Sequence, residues 1–142
     1  MKKLNLHATR VFLELISRIK DQHVRLESDG HLPLILRRLY QLGGGVPQPV
    51  LYSLSHLNNQ DDEPMRDPEM CFLVWDLRSK PSDSIKFVTI RPAIYQNDVV
   101  GIIEFSTCFE PWGVEDYDWD LVHKHCLLAN TWLDNIRQQG FL

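Results

Sequence analysis

The chain contains none of the short patterns that announce common chemistries. It has no Cys-x-x-Cys or His-Glu-x-x-His to hold a metal, and no Gly-x-Ser-x-Gly to present a serine nucleophile. It also lacks a dinucleotide fingerprint, and its one glycine run, Gly43-Gly44-Gly45, is not followed by the Lys-Ser/Thr of a phosphate-binding loop. That run reads as a turn. No stretch approaches the roughly 18 to 20 uninterrupted apolar residues of a membrane span. Two lysines precede an apolar N-terminal run, as in a signal peptide, but Arg10, Glu14, Arg18 and Lys20 interrupt it and no small-residue cleavage site follows. Cysteine is scarce and odd in number: Cys71, Cys108 and Cys126 are each followed by a large apolar residue. They read as buried thiols of a cytoplasmic protein, not as a disulfide framework.

Positive charge is missing where it would matter for nucleic acid. Between Asp98 and Asp120 there are seven acids and no base. Residues 1–45 hold eight Lys/Arg and four Asp/Glu, whereas residues 46–142 hold seven and fifteen. The larger part of the chain therefore repels phosphate and attracts a basic surface. The basic residues Lys2, Lys3, Arg10, Arg18, Arg37 and Arg38 are not interleaved with aromatics as a stacking platform for bases requires, so nucleic acid is not the expected ligand.

What is present is a globular composition, 44% hydrophobic and 24% charged, over 142 residues. That length suits a single domain, 1–142, with a core built without disulfides or metal. Val11, Phe12, Leu15, Ile16, Ile19 and Leu26 recur at helical spacing, predicting a first helix from Val11 to Leu26 with Thr9 as its cap and Ser28-Asp29-Gly30 as its stop. HLPLILRRLYQ, VLYSLSHL, CFLVWDL, IKFVTIRPAIY and VVGIIEFSTCF read as strands, and Pro81 and Pro92 mark edges or bends. The polar NNQDDEPMRDP reads as a long hairpin loop, with Met65-Arg66-Asp67-Pro68-Glu69-Met70 at its mouth.

A second helix runs from about Asp118 to Gln139, with a stripe of Leu121, His125, Leu128, Trp132 and Ile136 widened by Val122, Ala129 and Leu133. Asp116, Asp118 and Asp120 sit where free amides and the helix dipole favour acids, and Gly140-Phe141 fits a left-handed stop. The expected fold is α+β: an N-terminal helix, a largely antiparallel sheet of about five strands, and a C-terminal helix packed on it.

Two groups of residues carry candidate chemistry. Asp67 and Glu69, two apart on an extended chain, could converge with His56 and Asp98 (Glu104 is a further candidate) into a general acid/base or hard-metal set. Against that stands an architectural reading, in which Asp67 and Pro68 close a turn and launch the strand from Met70. His123 and His125, two apart on a helix, cannot chelate together. His125 reads as a core or boundary histidine. The second group is FEPWGVEDYDWD, where Trp112, Glu115, Asp116, Tyr117 and Asp118 combine contact area with charge, as recognition of a basic protein surface requires. Its architectural counterpart has Trp112 and Trp119 sealing the sheet-to-helix junction while the acids cap the helix.

GHLPLILRRL, SLSHLNNQDDEPMRDPEMCF, YQNDVVGI and NTWLDNIRQQGF together resemble a group of small uncharacterised proteins, a domain of unknown function. The resemblance spans nearly the whole chain. It implies a compact α+β domain encoded on phages, plasmids or conjugative elements, and it supplies no catalytic residues. The family pattern has Gly-Asp before DPEM, where this chain has Asp61-Asp62-Glu63-Pro64 in the preceding loop. The expected function is non-enzymatic binding of a protein partner by a mobile-element accessory protein, an inhibitor of a host defence or DNA-processing complex, with no cofactor. The alternative is a metal-assisted hydrolase or nuclease centred on His56, Asp67, Glu69 and Asp98. A homodimer is left open.

Overall fold

Asn5 starts the first helix, α1 (Leu6–Ser17), by accepting the Ala8 N–H at 2.8 Å, as an unpaired helix N-terminus needs. Thr9, the expected cap, is instead buried inside the helix, and its hydroxyl donates to the Asn5 carbonyl at 2.8 Å. Val11, Phe12 and Leu15 face the core, as their spacing predicts. The helix stops well short of Leu26. Asp21 takes a left-handed backbone (φ 61°), Lys20 bridges to His23, and the chain turns back as strand β1 (His23–Leu26). Val24 and Leu26 alternate with the exposed His23 and Arg25, so this segment satisfies both periodicities. Pairing with the next strand decides between them.

The computed structural model describes residues 1–44, 47–60 and 63–142. Gly45 of the glycine run and Asp61 and Asp62 of the polar stretch lie outside the described residues. Strands β2 (Leu34–Gln41), β3 (Val50–Gln60), β4 (Glu63–Asp76), β5 (Val88–Asn97) and β6 (Ile102–Phe105) join β1 in one six-stranded sheet. Each strand is antiparallel to the next, in chain order. A second sheet consists of β7 (Thr107–Glu110) and β8 (Gly113–Tyr117). The chain closes with α2 (Trp119–Gln138). The fold is α+β with antiparallel sheets, and six strands plus a separate pair replace the expected five or so.

The polar stretch expected as a loop is mostly sheet. Leu57 pairs with Arg66, Asn58 with Met65, and Gln60 with Glu63. Backbone pairing does not require apolar side chains where a ribbon is exposed, and composition alone therefore misread it. Met65–Met70 consequently lies inside β4, around a cis Asp67–Pro68 peptide and opposite a register shift between Ser55 and Leu57.

The expected single strand 99–109 also divides. Pro92 sits beside a bulge in the β4–β5 ladder, and its carbonyl accepts the Ser106 hydroxyl at 3.2 Å and the Thr107 hydroxyl at 3.1 Å. These bonds turn the chain out of β6 and across the sheet as β7.

Both helices cover one face of the large sheet. Phe12 meets Tyr52 and Phe72 edge-on at 5.9 and 4.9 Å, and Leu36, Leu54, Ile90, Leu133 and Ile136 complete that core. On the other face, Phe109 and Val114 of the small sheet pack on Leu42, Leu51, Cys71, Leu73 and Ala93. The stripe of α2 is rotated from the expected one: Val122, His125, Cys126, Ala129, Leu133 and Ile136 are buried, while Leu128 is exposed. The helix ends as expected. Gly140 has φ 87°, its N–H donates to Arg137 O, and the Phe141 N–H reaches Ile136 O while the ring folds into the core. These are the two bonds of a Schellman stop. No helix among the described residues is long and apolar enough to cross a membrane.

Candidate functional site

Of the four residues of the expected His/Asp/Glu set, Glu69 and Asp98 share one partner, Arg66, whose Nη1 lies 3.8 Å from Glu69 Oε1 and whose Nε lies 2.9 Å from Asp98 Oδ2, while His56 and Asp67 hydrogen-bond other groups. His56 is buried, donates from Nδ1 to the Leu32 carbonyl at 3.1 Å, and lies 5.6 Å from the rings of both Trp132 and Phe141. Its burial lowers its pKa. Asp67 accepts from Asn58 at 3.2 Å and from Asn97 at 3.1 Å. Glu69 accepts from the buried Ser53 hydroxyl at 3.1 Å. Asp98 binds Arg66 through Nε at 2.9 Å and through the backbone N–H at 2.9 Å, and these bonds hold its carboxyl below the usual range.

The i, i+2 argument assumed a regular strand. A register shift in the β3–β4 ladder, where Ser55 pairs with Glu69 and Leu57 with Arg66, breaks that regularity between Asp67 and Glu69. Among the described residues, no three His, Cys, Asp or Glu side chains gather as metal donors. Asp67 and Pro68 close no turn before a strand at Met70, because they lie within β4, which begins at Glu63.

FEPWGVEDYDWD builds the β7–β8 hairpin and the start of α2. Asp118 is the N-cap of α2, accepting the Leu121 N–H at 3.2 Å. Tyr117 stacks on Trp119 with centroids 4.4 Å apart, and its hydroxyl accepts from Arg91 at 2.9 Å. The Arg91 guanidinium lies 4.8 Å from the Tyr117 ring and 5.3 Å from those of Trp75 and Trp119. Its own cation thus fills this aromatic enclosure. Of the residues expected as contacts, Tyr117 is half-buried and bonded to Arg91, and Asp118 caps α2 while remaining exposed.

Trp112, Glu115 and Asp116 remain on the surface. Trp112 is 64% exposed in the turn of the hairpin, and its Nε1 donates to Glu115 at 3.2 Å. The turn is held against residues 43 and 44: Gly43 N–H donates to Pro111 O at 2.7 Å, and a Cβ at Gly44 would overlap the Trp112 carbonyl.

One polar cluster had no signal in the sequence. Glu104 on β6 accepts from Lys124 at 3.0 Å and from His125 Nε2 at 3.1 Å, both on α2. Those bonds hold Glu104 below the ordinary carboxylate range. Burial lowers the His125 pKa. Its Nδ1 is buried and without a partner among the described residues. Only a helix–strand contact across some twenty residues of sequence joins these groups, and no local spacing encodes it.

The thiols divide two to one. Burial pushes Cys71 up to about 12 and Cys126 up to about 11, so both are unreactive. Cys108, expected to be buried, is exposed because β7 lies across the outside of the sheet.

Neither a curated protein nor a solved structure is significantly similar to the chain. A family model does match, over residues 7–142. The chain accordingly belongs to the family described as Domain of unknown function (DUF6908).

Proposed function

We propose that this protein acts by binding, as a non-enzymatic accessory protein that engages a protein partner with a basic surface. The observation that carries this reading is the exposure of Trp112 at the hairpin turn, with Glu110, Glu115 and Asp116 exposed around it. A large aromatic is an effective anchor when a partner buries it, and acids around it steer a basic surface into place. The hairpin supporting it is rigid on both sides: Phe109 and Val114 pack on the large sheet, and Arg91 ties Tyr117 to β5. Tyr117, bonded to Arg91, positions the hairpin, and the exposed Asp118 adds to the acidic surface. A mobile-element accessory protein of this kind would meet such a surface on a host defence or DNA-processing complex, whose nucleic-acid-binding faces are basic.

The test is capture of host proteins by the tagged full chain beside a Trp112→Ala, Glu115→Lys, Asp116→Lys variant. The expected result is a stoichiometric partner held by the native chain and lost by the variant, with the two melting at the same temperature. Equal retention by both, or capture of nothing by either, would overturn the reading.

A further inference from the structure

A cavity of about 340 Å³ opens between the second half of α1 and one end of the large sheet. Its size falls within the range of small-molecule sites. Both walls are aliphatic: Leu13 and Ile16 belong to α1, while Val50 and Val74 face them from the paired strands β3 and β4. Strand register places the polar groups around this slot. Gln41, Val50 and Val74 form one row across β2, β3 and β4, and Tyr52 stands two residues farther along β3 on the same face. Gln48 comes just before β3, and Asp76 and Arg78 stand at and just beyond the end of β4.

Tyr52 is the residue that packing leaves unfinished. It is only 7% exposed, with its ring edge-on to Phe12, yet its hydroxyl has no partner among the described residues and is not sealed from solvent. The cavity is where that hydroxyl is reached. Burial raises its pKa above the ordinary 10.0, so it stays a neutral group that both gives and takes a hydrogen bond. The amides of Gln41 and Gln48, both exposed, likewise carry a donor beside an acceptor.

Charge narrows the choice of ligand. Asp76 and Arg78 are the ionised groups lining the cavity, and they neutralise each other through Nε at 2.9 Å and Nη2 at 2.8 Å. Arg78 Nη1 donates to the Pro81 carbonyl at 3.2 Å, and Arg38, across from Tyr52 on β2, does not line the cavity. A carboxylate or an amine would therefore find its counter-charge already taken. A hydrocarbon would leave the hydroxyl and amides without partners, and a sugar would press its own hydroxyls against the aliphatic walls.

We propose that this cavity binds an uncharged nucleobase, as the free base or the nucleoside, with its ring between the aliphatic walls and its polar edge on Tyr52, Gln41 and Gln48. Apolar side chains on two sides hold a flat ring, and a glutamine amide matches the adjacent donor and acceptor of a base edge. A phosphate on the ligand is opposed by the Asp76 carboxylate. The site lies on the helix-covered face of the sheet, opposite the hairpin that carries Trp112, and does not depend on that surface.

Nuclear magnetic resonance titration of the isotope-labelled full chain with adenosine, guanosine, cytidine and uridine, and with the monophosphate of each, tests this. At least one nucleoside should shift the amides of residues 48–52 and 74–78 and saturate them below about 1 mM, and its monophosphate should bind about tenfold more weakly. Tyr52→Phe keeps the ring and removes a hydroxyl that has no partner to lose, so it should weaken binding about tenfold at an unchanged melting temperature. Gln48→Leu should weaken binding independently from the rim. Failure of every nucleoside to bind, shifts confined to another part of the chain, unaltered affinity in Tyr52→Phe, or tighter binding of the monophosphates would overturn the proposal.

Discussion

Arg66 and Asp98 close on each other from both directions: the Arg66 N–H and Nε each donate to Asp98 Oδ2 at 2.9 Å, and the Asp98 N–H donates to the Arg66 carbonyl at 2.9 Å. One carboxylate thereby ties the outer part of β4 to the turn between β5 and β6.

Replacing Asp98 with alanine should cost about 1–2 kcal/mol at neutral pH, a figure kept low because Arg66 is partly solvated. The folded-state pKa of Asp98 lies below its ordinary value of 3.8. Its contribution is therefore present above that value and lost as pH falls through the folded pKa. Urea unfolding of both chains should show a gap that is constant from pH 7 to 5 and closes in stronger acid. A gap that persists in strong acid would show that the ion pair is not its source.

His125 makes the opposite kind of demand, since burial lowers its pKa from 6.5. Below pH 6.5 the unfolded chain takes up a proton that the folded chain resists, so stability falls as pH drops from 7 towards 5.5. His56 is lowered for the same reason and adds to the slope. His125→Phe should flatten the dependence in part, and joining it to His56→Phe should remove most of what remains. Denaturant midpoints across that window measure it, and an unaltered slope in the double variant would refute the assignment.

Arg91 holds the base of the β7–β8 hairpin through rings and a hydrogen bond together. Arg91→Ala should lower stability by about 2 kcal/mol, and Tyr117→Phe, which removes only the hydroxyl, by about 1 kcal/mol. Thermal unfolding would rank the two, and the first should also alter tryptophan fluorescence, since Trp75 and Trp119 face the guanidinium. Equal effects would mean that the hydrogen bond alone accounts for the contact.

Adjacent glycines should respond differently to alanine. Gly44 has φ 79°, and a Cβ there would overlap the Trp112 carbonyl, so Gly44→Ala should cost about 2 kcal/mol or more and displace the Trp112 turn. Gly43→Ala, whose Cβ would meet nothing closer than 3.6 Å, should be close to neutral. If Gly44→Ala proves equally harmless, the hairpin turn is not seated on residues 43 and 44.

Much of the architecture was legible because its causes are local. Length, a local proline and the following glycine run marked β2, and the alternation of Tyr52 and Leu54 with Ser53 and Ser55 marked β3; Leu34, Leu36, Tyr52 and Leu54 face the helix-side core. Asp118 was recognisable beside the N-terminus of α2, and Gly140-Phe141 as its stop, because a cap and a Schellman turn depend on a few consecutive residues. Failures fell where two periodicities or compositions coexist. His23–Leu26 fits a helix and a strand equally, and Asn58–Arg66 is polar enough for a loop yet pairs as a ribbon.

By itself the sequence determined the α+β class, the antiparallel character, the two helices, and the presence of an acidic, aromatic segment unlike the rest of the chain. Tertiary structure decided what each polar residue does. Asp67 and Glu69 take different partners because the ladder with β3 shifts register between Arg66 and Glu69. Tyr117 is half-buried because Arg91, on β5, bonds its hydroxyl, while Asp118 caps α2 at the surface. Which apolar residues remain uncovered on β6 and α2 follows from where the sheet ends. Such outcomes depend on pairings between residues far apart in the chain, and local propensity has no term for them.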